Sequence, residues 1–124
     1  MSKARPKYLD LFRIRMPIPA FVSILHRVSG AILFLLIPCL LYLWQTSLQS
    51  PETFASLAAF MKHPLMKLVM IGLLWAYLHH FCAGIRHLAL DLHYGTTLET
   101  ARATSWVVIG VSVFLTIVFG ALLW

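Results

Sequence analysis

The sequence predicts an all-helical membrane protein with three transmembrane helices and a cytoplasmic N-terminus. Of its 124 residues, 60% are hydrophobic and only 11% charged, where soluble domains carry roughly a quarter charged residues. The few charges also leave three long gaps: no Asp, Glu, Lys or Arg occurs in residues 28–51, 68–85 or 103–124. Crossing the hydrocarbon core takes roughly 20 apolar residues as helix, the form that satisfies its own backbone in lipid. Spans are therefore expected at about 22–46, 65–91 and 104–124, behind an interfacial segment over residues 1–21. Residues 22–124 then form one three-helix anchor domain.

The basic residues set the orientation. Lys3, Arg5, Lys7, Arg13 and Arg15, half of the ten Lys and Arg, precede the first span, opposed by Asp10 alone. Lys62 and Lys67 close the first loop, which also holds Glu52, and Arg102 lies in the second, near Asp91 and Glu99. Positive residues favour the cytoplasmic side. The N-terminus and second loop are thus expected inside, and the long first loop and Trp124 outside, with Trp124 as an interfacial anchor. Pro6, Pro17 and Pro19 make residues 1–19 poor helix material, expected to lie against headgroups or a soluble partner. Ser50-Pro51-Glu52 reads as a capped helix start, and TFASLAAFMKH as a short interfacial helix before span two.

Several classes drop out. A secretory signal has a short apolar run of about 7–15 residues; here the first run is longer and two more spans follow. Cys39 and Cys82 fall inside spans without a CxxC pattern, as buried structural thiols rather than a disulfide framework. The net charge of +6 clusters at one membrane face, which suits anionic lipid or an acidic partner and not nucleic acid.

Span two, LMKLVMIGLLWAYLHHFCAGIRHLALD, carries three histidines and an arginine in its second half. Such residues are costly in a bilayer and ask for a reason. At 100° per residue, His80, Gly84, His87 and Asp91 fall within about 60° of one another, flanked by Ala76 and Ala83, while His79 and Arg86 point elsewhere. A histidine beside small residues suits a flat macrocycle, since the imidazole reaches the iron and glycine admits the porphyrin edge. The same stripe suits a close helix–helix contact, or a proton or ion path. A zinc pair like that of HExxH is missing. His80 precedes Asp91 by about 16 Å along the axis, near the midplane of a ~30 Å core, with His87 nearer the cytoplasmic face.

Span one opens on SILHRVSG, with Ser23, His26, Arg27 and Gly30 at i, i+3, i+4 and i+7. A lone arginine at a membrane edge is commonly a snorkelling anchor. The serine, histidine and glycine on its face, and a second polar stripe at matching depth, favour half of a binding site. Antiparallel packing of the two helices would bring His26 and Arg27 level with His87 and Asp91.

At these residues the chain resembles the cytochrome b membrane-anchor subunit family of succinate dehydrogenase. The shared pattern is Arg5-Pro6, then Ser23-Ile24-Leu25-His26-Arg27-Val28-Ser29-Gly30, then His80, Gly84, Arg86, His87 and Asp91. The resemblance implies that His80 is an axial ligand of haem b, with the opposite ligand from a second anchor subunit. It implies that Ser23 and Arg27 contact ubiquinone, and that His26, Arg27 and His87 lie near the haem propionates. Gly30, Gly84, Arg86 and Asp91 match motif positions of structural or undefined role. The implied partners are an iron–sulfur subunit and a flavoprotein subunit, in a bacterial inner membrane.

The chain has no GxGxxG, cysteine cluster or carboxylate pair for succinate oxidation. It is expected to bind and position, as a non-flavin subunit of an enzyme complex. The alternatives are the anchor of a quinol:fumarate reductase, a small histidine-containing transporter or channel subunit, and a purely structural anchor.

Overall fold

The computed structural model describes residues 13–124; the expectations for Lys3, Arg5, Pro6, Lys7 and Asp10 lie outside them. Four helices follow in order: α1 (Ile18–Ser47), α2 (Pro51–Met61), α3 (Pro64–Asp91) and α4 (Leu98–Leu123). Among the described residues α1, α3 and α4 are long and apolar enough to cross a membrane. The all-helical, three-span architecture is as the sequence predicts, and α2 is the short helix expected between the first two spans.

The helix ends differ from the expected boundaries, for local reasons. α1 begins at Ile18, inside the segment read as poor helix material. Pro17 is its N-cap and a proline occupies its first turn, where the missing N–H has no intrahelical partner to lose. α4 starts at Leu98, because Thr97 caps it by accepting from the Thr100 N–H and Glu99 stands in its first turn. Ser50 caps α2: its Oγ accepts from Thr53 N at 3.2 Å, and Thr53 Oγ1 accepts from Ser50 N at 3.1 Å. Thr53 Oγ1 also donates to Thr46 O at 2.9 Å, tying α2 to the end of α1. Pro38 lies within α1 without ending it, as neighbouring structure permits in membrane helices.

α3 is central and packs against both α1 and α4, which touch each other less. The interior is built from small and polar residues: Val22, Ala83 and Val108 form the apolar cluster, and Ser29, His79, Ser105, Ser112 and Thr116 are buried with them. The large side chains, such as Phe34, Leu35, Phe81 and Phe114, face outward. Lipid tails are as apolar as leucine, so association favours close backbone approach over burial of bulk. The buried hydroxyls satisfy themselves on their own helices: Ser105 donates to Ala101 O at 2.7 Å and Thr116 to Ser112 O at 2.7 Å. Cys39, expected to be buried, is exposed on the outer side of α1, and Cys82 is half-buried; both are free thiols.

Arg86 links α3 to α4. It is buried, with Nε donating to Thr104 Oγ1 at 3.1 Å and Nη2 to Ala101 O at 3.3 Å. Thr104→Val should lower stability by about 0.6 kcal/mol, the average for side-chain hydrogen bonds between membrane helices. Arg86→Met, which removes both bonds, should cost more. Unfolding midpoints of the purified protein in graded SDS check the order.

Candidate functional site

The α1–α3 contact brings together His26 and Ser29 of the first motif and His80 and His87 of the second. His80 is half-buried on α3, and its Nδ1 lies 3.0 Å from the main-chain oxygen of His26 and 3.3 Å from Ser29 Oγ. A carbonyl oxygen only accepts, so Nδ1 carries the proton and the Nε2 lone pair is left free. Ser29 Oγ donates to the same carbonyl at 3.0 Å and offers a lone pair to the His80 N–H.

Gly30 makes this geometry possible. A Cβ added there would stand 2.8 Å from His80 Cε1 and 3.2 Å from Nδ1, closer than carbon atoms pack. The His26 ring stacks on His80, with centroids 4.2 Å apart and planes 7° apart, and reaches His87 at 4.9 Å with a 48° tilt. Gly84 faces His26 Nε2, which a Cβ would meet at 3.6 Å. The glycine expected to admit a macrocycle edge thus lies against an imidazole of α1, because the helices cross at this level. His87 Nε2 is buried and has no hydrogen-bond partner.

The remaining motif residues stand around this cluster. Ser23 is half-buried, and Arg27 and Asp91 are exposed. Arg27 is near enough to act electrostatically on His26 and His87, and Asp91 on His87, as expected from the matched depths. Helical spacing places Ser23, His26, Arg27 and Gly30 on one face, whereas the buried residues of α1 are Val22 and Ser29. The inward face therefore turns toward Val22 and Ser29, leaving Arg27 on its open flank. Arg86 points away from the cluster into the α4 contact.

Ser29, a first-motif residue to which the sequence assigns no role, and His79, set off the His80 face, are both buried. Ser29 lies three residues after His26, a spacing that would have flagged it. His79 is fully buried in the bundle, stacked on Trp75 at 5.2 Å. The Val22 main chain faces it, yet neither ring nitrogen makes a hydrogen bond. Adjacent histidines thus have opposite settings: His79 is enclosed by its own chain, and His80 stands at the open edge.

Residues 1–119 match the succinate dehydrogenase/fumarate reductase transmembrane subunit family. The chain belongs to that family. It is 37% identical, over the full length of both chains, to the succinate dehydrogenase cytochrome b556 subunit of Coxiella burnetii. The corresponding subunit of Rickettsia typhi is 31% identical, covering 97% of this chain and 90% of that one. That of Paracoccus denitrificans is 32% identical, covering 91% and 87%. Family membership and the three spans make the chain a multi-pass protein of the bacterial cytoplasmic membrane. They support the succinate dehydrogenase anchor over the transporter or channel alternative.

The residues present fit a haem ligand set of the kind this family's b556 members are named for. His80 presents one oriented imidazole whose second nitrogen is uncommitted, a donor that a haem iron would take, and no cluster of three or more metal-ligating side chains occurs among the described residues. The glycines test the packing. Gly30→Ala should destabilise the protein by about 1–3 kcal/mol through overpacking against His80, while Gly84→Ala, in ordinary contact distance, should be nearly neutral. Thermal midpoints of the two variants in detergent check this.

Proposed function

We propose that this chain is the cytochrome b anchor of a succinate:ubiquinone oxidoreductase, co-binding haem b and forming part of the quinone site. The observation that carries the reading is the orientation of His80. Its Nδ1–H is held by the His26 carbonyl, which fixes the tautomer and would leave a basic Nε2 for the haem iron. One imidazole would supply one ligand to the haem iron, and this reading assigns the other to a second anchor subunit. His79 is enclosed on all sides, which favours His80 as the ligand. His87, whose Nε2 is buried without a partner, together with His26 and Arg27, suits the propionate carboxylates. Haem b, when bound, supplies a one-electron redox centre inside the membrane.

The chain's other residues bind and orient. The Ser23 hydroxyl can donate to a quinone carbonyl, and the Arg27 guanidinium can stabilise negative charge that develops there on reduction. Arg27 is exposed on the flank of α1, so a quinone meeting it would contact other subunits as well. Succinate oxidation belongs to a flavoprotein subunit, with an iron–sulfur subunit passing electrons to the quinone. This chain anchors and positions without oxidising succinate itself. The names of the relatives favour succinate oxidation over fumarate reduction as the working direction.

His80→Ala in the purified complex should abolish or shift the b-type reduced-minus-oxidised spectrum, whereas His79→Ala should retain full haem content. An unchanged spectrum in His80→Ala would move the ligand elsewhere. Ser23→Ala and Arg27→Leu should each slow quinone reduction by roughly 10- to 100-fold, the loss expected for one hydrogen bond to a charged group. Succinate oxidation with an artificial acceptor should be spared. Equal loss in both assays would indicate failed assembly and count against the quinone assignment.

A further inference from the structure

At the end of the bundle opposite the histidine cluster, all four helices line a cavity of about 860 Å³. That is near the upper end of the ~300–1,000 Å³ typical of ligand sites. Its walls are apolar, including Leu36, Leu74, Met61 and Trp124, and two cations, Lys62 and Lys67, also line it. Lys62 is the C-cap of α2 and Lys67 lies in the first turn of α3. Lys67 Nζ stands 4.4 Å from the centroid of the Trp124 ring, so an ammonium and an interfacial indole meet at one level, as they do at the headgroup boundary.

These lysines run against the charge rule that orients the rest of the chain, since they lie at the outward end. Glu52 is the only acidic residue between Leu48 and Lys67. Its carboxyl is held below the usual carboxylate range by the Ser50 hydroxyl, but it sits at the far end of α2, about 15 Å along the helix from Lys62. The N-terminus of α3 adds partial positive charge beside Lys67, while the C-termini of α2 at Lys62 and of α4 at Trp124 bring partial negative charge smaller than the two full ammonium charges. An apolar cavity with a doubly cationic lining is complementary to a molecule with hydrocarbon chains and a single anionic headgroup.

We propose that this cavity holds the acyl chains of an anionic phospholipid from the outer leaflet, with its phosphodiester between Lys62 and Lys67. The assignment is independent of the haem and quinone reading, because it uses none of those residues. A lipid here would fill the gap between α1, α3 and α4 at this end of the bundle and add to the contacts α2 already makes with α1 and α3.

The test uses the whole purified complex, delipidated in detergent and titrated with phosphatidylglycerol or phosphatidylcholine, with bound lipid counted by native mass spectrometry. The native complex should bind phosphatidylglycerol about thirtyfold more tightly than Lys62→Gln/Lys67→Gln, from two cations near the membrane surface. Lys62→Arg/Lys67→Arg should restore most of that difference. Leu74→Trp, which fills the cavity and keeps both lysines, should lose the same lipid. Equal binding of both lipids by the native complex would overturn the proposal, as would phosphatidylglycerol retained undiminished in Leu74→Trp. So would a structure of the complex with a partner helix seated in the cavity. If the double lysine variant does not assemble, the lipid comparison and Leu74→Trp each decide alone.

Discussion

The approach of α1 to α3 at Gly30 is the constraint on which the site depends. A side chain at that position would collide with the His80 ring, and without the approach the His26 carbonyl could not reach His80 Nδ1 at 3.0 Å. Three consequences follow from one missing Cβ. The imidazole is held in a single tautomer, the His26 ring stacks flat on it, and His26 is carried on to His87. In lipid no hydrophobic gain draws the helices together, so close contact must come from small residues and interhelical hydrogen bonds. Ser29, Ala76 and Ala83, all buried near this crossing, serve the same end.

The three spans were legible because charge is so costly in a bilayer that gaps in it mark the membrane. Their ends were less so, since a proline in the first turn of α1 and the Thr97 cap of α4 extend helices beyond the apolar runs. The polar stripe of α3 was legible from helical geometry alone, and the structure does bring His80 and His87 to His26. What periodicity cannot supply is which face turns inward. In a soluble helix the apolar face answers that, but here both sides are apolar. Cys39 therefore reads as buried and is exposed, and the inward face of α1 runs through Val22 and Ser29 instead of reaching Arg27. The better signal was size: Ser105, Val108, Ser112 and Thr116 recur at helical spacing along α4, and all four are buried.

His79, His80 and Arg86 show how polarity is distributed within α3. Arg86 is buried with two hydrogen bonds across to α4, which makes it a strut. His79 is buried without one, and an unsatisfied polar group in a medium without water costs free energy. His80 avoids both situations: one nitrogen is satisfied within the chain and the other is not committed to it. That division suits a ligand to something held jointly, because orientation is fixed by α1 while the bonding electrons remain available.

The same division argues that the site cannot be closed by this chain. His80 is only half-buried, Arg27 and Asp91 are exposed, and the large apolar residues of all three spans face outward. An isolated bundle in lipid would leave Arg27 to reach the headgroups on its own. A second membrane subunit packed over the α1–α3 edge would instead remove Arg27, His87 and the free side of His80 from solvent together. In that setting the cation and the imidazole would stand at low dielectric, where each charge acts more strongly than at a wet surface. Arg27 on the open flank of α1 is therefore better placed for a shared site than it would be on the buried face, where α3 and α4 would already have claimed its hydrogen bonds.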